Sequence, residues 1–332
     1  MVNTEAMKAG NPTDSGSKKN KLTQWPQHFS NPKVDALANR LKKIFDALPH
    51  YGYLGQADLQ DYRYHENVIL NALAAINLKT ERGLLHPLDI RSYPKILRYP
   101  DGIARIAIYI GSFDPFQMTH LSIALRYLAW PTTQSDMVIV VPEDPGSFYK
   151  PDKTDYAFRY QIARLQLADL FEPFILPLDI GSGADTIEIV RRFIALHAGM
   201  KLELTHLIGS DVLPLAAEFL EKDLAVWRQQ ASRSGVDYRH RIYIARRAKK
   251  GSLAPWLAMI RRHNIEVILD NTITASPSST DFRKNRHLTL VLPTPAIKDK
   301  LEILFRYKMS QAWSADTSGK DSLQPNPHPW EI

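Results

Sequence analysis

Between residues 33 and 78 apolar side chains recur every three or four positions. In "VDALANRLKKIFDAL", Val34, Leu37, Leu41, Ile44, Phe45 and Leu48 fall on one face, which predicts an amphipathic helix. "ENVILNALAAINL" continues in the same style. Residues 79–101, rich in Pro, Gly and Tyr, read as a connector. After it the pattern alternates. Short apolar runs at 103–110, 136–141, 174–180, 202–209, 241–246 and 265–270 predict strands, and the third is weakened by Pro177, which removes a ladder hydrogen bond. Amphipathic runs separate them: "HLSIALRYLAW", "DYAFRYQIARLQLADL", "DTIEIVRRFIALH", "LPLAAEFLEKDLAVW" and "LAPWLAMIRRHN". "TPAIKDKLEILFRY" (294–307) closes the series as a helix.

Strands that are apolar along their whole length, separated by helices, imply a parallel sheet covered on both faces. Right-handed crossovers make that an α/β, doubly wound sheet, whose ligand sits beyond the carboxyl ends of the strands. The chain divides into a disordered leader (1–32), a helical N-terminal extension and connector (33–100), the sheet domain (101–310) and a polar tail (311–332).

Composition narrows the classes. The 332 residues are 44% hydrophobic, ordinary for a globular protein. No apolar stretch approaches the ~18 residues of a membrane span, and the N-terminus lacks an apolar signal core. Cysteine is absent, which excludes disulfides and thiolate metal sites and fits a cytoplasmic protein. The net charge of +7 is scattered rather than gathered into a block. It reads as a basic pocket for phosphorylated small molecules rather than a nucleic-acid surface.

The chemistry concentrates after the first strand, in "GSFDPFQMTH". Gly111, followed by Ser112 and Phe113, permits close backbone approach to a ligand. Asp114-Pro115 forms a turn. His120 opens the next helix, where unpaired N–H groups favour phosphate and an imidazole donates to a charged oxygen. In "SPSSTDFRKN", Ser278, Ser279 and Thr280 offer hydroxyls and N–H groups before a helix, with Arg283 one turn on. That is a phosphate nest with a guanidinium wall, and equally a helix cap.

These segments carry a resemblance. "GSFDPFQMTH" is similar to the GxFxPxHxGH signature of the nucleotidyltransferase superfamily. "LIGSDVLPLAAEFLEKDLAVW", "RIYIARR", "SPSSTDFRKN" and "LPTPAIKDKLEILFRY" resemble, in the same order, further segments of the nicotinate and nicotinamide mononucleotide adenylyltransferases. The resemblance covers about residues 103–307 and implies a Rossmann-like nucleotidyltransferase fold. It implies an enzyme joining ATP, with its Mg²⁺, to nicotinate or nicotinamide mononucleotide, giving the dinucleotide of NAD biosynthesis and pyrophosphate.

The resemblance also implies roles. His120, Gln117, Lys150 and Arg283 act on the reacting phosphates. Gly111, Ser112, Phe113, Asp211, Ser278, Ser279 and Thr280 hold ATP, with Asp211 near the ribose. Trp227 stacks on the pyridine ring, or packs in the core of its helix. Arg159 and one of Arg246 and Arg247 contact the substrate. No protein-held metal is expected, since the phosphates carry the Mg²⁺. The sequence departs from the signature at Gln117, in place of the first His, and at Thr119, in place of Gly. Gln donates a neutral hydrogen bond but never becomes a cation. The other expectation is therefore a catalytically weakened or inactive nucleotide-binding protein of the same fold, with a regulatory or scaffold role.

Overall fold

The computed structural model describes residues 25, 26, 28–50, 56–85, 102–133, 135, 137–144, 153–171, 174–247 and 252–274. The expected closing helix 294–307, the segment 278–283 and most of the leader lie outside them. Two helices come first, α1 (Pro32–Ala47) and α2 (Gln56–Glu81). Then strands and helices alternate: β1 (Ile103–Gly111), α3 (Met118–Ala129), β2 (Met137–Pro142), α4 (Tyr156–Phe171), β3 (Ile175–Pro177), α5 (Thr186–Leu196), β4 (Lys201–Gly209), α6 (Leu213–Arg233), β5 (Asp237–Arg247), α7 (Ala254–Arg261) and β6 (Glu266–Thr274).

The strands form one parallel sheet in the order β3-β2-β1-β4-β5-β6. This is the expected doubly wound α/β architecture. β3 is shorter than the apolar run suggested. It ends at Pro177 on the sheet edge, where a missing N–H costs least. The chain leaves β1 in one direction for β2 and β3 and returns on the other side of β1 as β4. That reversal is the topological switch point.

Period-two alternation splits the core into two layers. Ala107, Tyr109, Val138, Val140, Leu207, Tyr243 and Ala245 face α1, α2 and α3. Ile106, Ile108, Ile139, Val141, Leu204, Ile242 and Ile244 face α5, α6 and α7.

All six residues of the apolar stripe in α1 are buried. Asn31 caps this helix, its side chain accepting from the N–H groups of Lys33 and Val34. α2 lies on α3 and joins it by two polar contacts. His65 Nδ1 and Ser122 Oγ share a buried hydrogen bond of 2.8 Å. Lys79 Nζ donates to the carbonyls of Leu128 (2.7 Å), Trp130 (3.0 Å) and Thr133 (2.8 Å), the C-terminal end of α3.

The Trp25 indole donates to Glu66 of α2 at 2.5 Å, and its ring lies 6.1 Å from that of Phe45. Among the described residues no helix is long and apolar enough to cross a membrane.

Candidate active site at the carboxyl edge of the sheet

The loop between β1 and α3 is held from beneath by α4. Arg159, only 1% exposed, donates from Nη1 to the Ser112 carbonyl (2.7 Å) and from Nε to the Thr154 carbonyl (2.8 Å). Burial pulls its pKa down, and Asp114 partly offsets that. The Asp114 carboxylate accepts from the Thr154 N–H (3.0 Å) and hydroxyl (2.6 Å). Gln166 donates to the Phe116 carbonyl at 3.1 Å. Two of the Arg159 nitrogens thus position the loop, where sequence reasoning had assigned the residue to substrate. Nη2 has no hydrogen-bond partner.

Within this loop the chain bends sharply. Phe113 has φ of +41°, and the Asp114–Pro115 peptide is cis. The bend folds the Phe113 ring back over Gly111, where a Cβ would lie 3.3 Å from Cζ of that ring. The missing side chain of Gly111 makes room for the Phe113 ring.

Gln117 and His120 sit at the start of α3. The Gln117 N–H donates to His120 Nδ1 at 3.0 Å, so the neutral imidazole carries its hydrogen on Nε2. Three rings hold the imidazole: Tyr109 at 5.9 Å, Phe113 at 5.1 Å and Phe116 at 5.3 Å between centroids. The Gln117 side chain is 1% exposed, and its Nε2 has no hydrogen-bond partner. A buried donor left unmade costs about 1–3 kcal/mol. Thr119 is fully buried beside it.

From His120 the site runs across the switch point. Burial pushes the Tyr109 phenol up to about 12, and Arg247, its charged hydrogen-bonding neighbour, moderates the shift. Arg247 Nη1 pairs with Asp211 Oδ2 at 3.0 Å, and its backbone N–H donates to Ser210 Oγ at 2.9 Å. Gly209 gives this pair its room. A Cβ there would lie 2.3 Å from Asp211 Oδ1 and 3.3 Å from Arg247 Nε. Between the two strand-end arginines that the sequence left open, Arg247 makes the pair with Asp211, and Arg246 does not join it.

On the other side of β1, Glu143 Oε1 accepts from Lys153 Nζ at 2.9 Å and from Ser112 Oγ at 3.3 Å. Sequence reasoning missed Glu143, Lys153 and Tyr109. Tyr109 and Glu143 had a positional signal, at or just past a strand's carboxyl end, whereas Lys153 lies just before α4 and had none. Among the described residues Lys153 and Arg247 both face carboxylates of the chain itself. No group of three His, Asp or Glu side chains there is placed to hold a metal ion.

Trp227 belongs to the core. It is 2% exposed, its indole donates to the Ile187 carbonyl at 3.1 Å, and its ring packs 4.9 Å from that of His240. α6 runs back from the carboxyl edge, and at 1.5 Å per residue Trp227 lies ~21 Å along it, too far to stack on a ligand at the edge. The exposed apolar side chains of α6 near Asp211 are Val212, Leu215 and Phe219. Lys150, Ser278, Ser279, Thr280 and Arg283 lie outside the described residues.

Among the solved structures that resemble this chain is one protein seen in two complexes. It is the nicotinic acid mononucleotide adenylyltransferase of Plasmodium falciparum, in structures complexed with APC and with NaAD. Identity is 16% and the TM-score 0.40 in both cases. The match covers 60% of this chain in the first and 63% in the second, and 96% of the Plasmodium chain in each. No family model and no curated protein matches the sequence.

Proposed function

We propose that the chain is an adenylyltransferase that joins MgATP to nicotinate or nicotinamide mononucleotide, forming the dinucleotide and pyrophosphate. The observation that carries this reading is the pair at the start of α3. Gln117 Nε2 is a buried donor without a partner, and His120, one helical turn on, carries the hydrogen of its neutral imidazole on Nε2. Two donors at a helix N-terminus, beyond the strands at a switch point, suit the oxygens of a phosphate chain. The ordered motifs described above point to the same chemistry.

The mononucleotide phosphate attacks the α-phosphorus of ATP in line, and pyrophosphate leaves. The attacking group is already an anion, so no general base is needed. The chain's work is positioning and stabilisation of charge at the transferring phosphorus. Gln117 and His120 donate to phosphate oxygens. Arg159 and Asp114 hold the loop that places them. Asp211 and Arg247 line the opposite wall. Magnesium enters with ATP, bound by the phosphates.

A second reading draws on a different observation. Lys153 and Arg247 are occupied by Glu143 and Asp211, which favours a nucleotide-binding protein with weakened or no catalysis. Pyrophosphate release from MgATP, measured with nicotinate mononucleotide, nicotinamide mononucleotide and phosphopantetheine in turn, separates the two. Release with a pyridine mononucleotide supports the transferase. ATP binding with no release from any acceptor supports the second reading.

A further inference from the structure

Glu143 follows β2 directly. Its backbone N–H donates to the Gly111 carbonyl at 3.0 Å, one step beyond the paired residues Gly111 and Pro142. The side chain therefore starts at the carboxyl edge next to Ser112. Its partner Lys153 has a side chain 3% exposed, whereas the Glu143 side chain is 23% exposed. The cation is enclosed and the anion keeps an outlet to solvent. An enclosed ammonium requires an anionic partner, because leaving it bare costs several kcal/mol. It does not require this particular partner. A carboxylate that can swing outward is exchangeable for another anion that reaches the same donors. Asp211 and Arg247 form a second ion pair across the switch point, but there cation and anion are about equally exposed, 19% and 21%.

We propose that Glu143 is a specificity-determining residue, whose carboxylate holds the place on Lys153 and Ser112 that a ligand's phosphate oxygens take on binding. It thereby sets the affinity of the site for polyphosphates. The inference rests on the nucleotide-binding reading above and adds the group against which the nucleotide competes. The ligand class is a polyphosphate chain, since the displaced group is an anion bound by an ammonium and a hydroxyl. A neutral nucleoside gains nothing from the exchange. Glu143 also penalises every added negative charge in its neighbourhood, so the site favours phosphates whose charge is already partly neutralised.

The test measures binding of inorganic tripolyphosphate, ATP and adenosine to the full chain by calorimetry. Glu143→Gln keeps the shape and removes the competing charge. It is expected to tighten tripolyphosphate and ATP about tenfold and to leave adenosine within about twofold. Glu143→Asp remains ionised but is one methylene shorter, so it tightens both in the same direction by less. It carries the test if the Gln variant fails to fold. Unchanged or weaker tripolyphosphate binding in a folded variant, or equal tightening of adenosine, makes Glu143 a structural counterion and overturns the proposal. If ATP binds the wild type and both variants equally, the proposal fails alone. If neither ATP nor tripolyphosphate binds any of the three, the nucleotide reading fails and takes the proposal with it.

Discussion

The two ends of α3 are finished differently. At its C-terminal end Lys79 reaches over from α2 to donate to the Leu128 carbonyl of the last turn and to those of Trp130 and Thr133 just beyond, and places a positive charge at the negative pole of the helix. Arg126, in the last turn, pairs with buried Asp270 of β6, and Asp270 also accepts from Tyr243. At the N-terminal end a buried amide nitrogen of Gln117 is left without a partner, beside an imidazole whose Nδ1 is committed and whose Nε2–H is not used by that bond. A protein that can satisfy one helix end with a lysine from a distant helix is not short of means. Both ends are capped, since Gln117 and His120 form a reciprocal capping box at the N-terminal end, but there a buried amide donor is left over.

Removing the lysine breaks the comparison most severely. Lys79→Met keeps the aliphatic stem and leaves carbonyls at the end of α3 without a donor. Charge-assisted bonds to buried acceptors contribute more than neutral ones, so the loss is expected to be about 3 kcal/mol. Chemical denaturation reads it as a lower midpoint with an unchanged slope. A shift of less than a fifth of that would show that solvent caps the helix end equally well.

The functional end is tested by His120→Ala. If Nε2–H acts on charge that develops during transfer, kcat falls roughly 10²-fold or more while KM changes little. Retention of wild-type kcat would reduce His120 to the acceptor of the Gln117 N–H. The melting temperature of this variant also sharpens the comparison. It should move less than that of Lys79→Met, because the structural end of the helix is intact.

The α2–α3 contact responds to acid. Burial, with a lesser contribution from Arg126, lowers the His65 pKa from 6.5 to about 4. Below pH 6.5 the unfolded chain binds a proton that the folded chain refuses until about pH 4. The contribution of His65 is therefore complete above pH 6.5 and is lost as pH falls toward 4. At ~1.4 kcal/mol per unit, the loss over the whole window is on the order of 3 kcal/mol. His206 and His240 are lowered too, to about 4 and about 3, so the wild type alone does not isolate the effect. His65→Gln retains a partner for Ser122 without titrating. Its stability should fall less steeply between pH 6.5 and 4.5, and parallel curves would remove His65 from the account.

Much of this could be read in the sequence, and the failures share one cause. The strands were legible because burial on both faces makes them apolar throughout, and the α1 stripe because a 3.6-residue period has no other reading. β5 begins four residues before its apolar run. Its first positions, Asp237, Tyr238, Arg239 and His240, are polar, yet Tyr238 pairs with His240 and Arg239 with Glu203 at 3.9 Å. Lys79 reads as an ordinary solvated charge on a helix, because the carbonyls that bury it come from residues about fifty positions away. At the site, strand-end positions pointed to Asp211 and to the arginine pair at 246 and 247. They did not show that the chain's own carboxylates hold its cations, since pairing depends on distances between strands. For Trp227 the helical face was legible, but not that its place on α6 leaves it against His240. In each case the missing information was which side chain meets which across elements, and local pattern does not contain it.

The smallest expected effect tests the empty donor itself. Gln117→His replaces a neutral amide with an imidazole that can share or hold a proton at the same point of the loop-to-helix junction. If the donor faces a phosphate oxygen, a stronger bond there speeds adenylyl transfer, by no more than about the tenfold that ~1.4 kcal/mol supplies. The Gln117 side chain is 1% exposed, so the ring must fit among Phe116, Met118 and their neighbours. The two side chains are similar in reach, and the melting temperature is expected to change by only a few degrees. A fall in activity with stability kept would mean that the amide is the required contact, one selected for a ligand that an imidazole does not suit. Unchanged activity with either residue would mean that nothing uses this donor during the reaction. The contrast between the two ends of α3 would then record an unfilled bond and not a binding site.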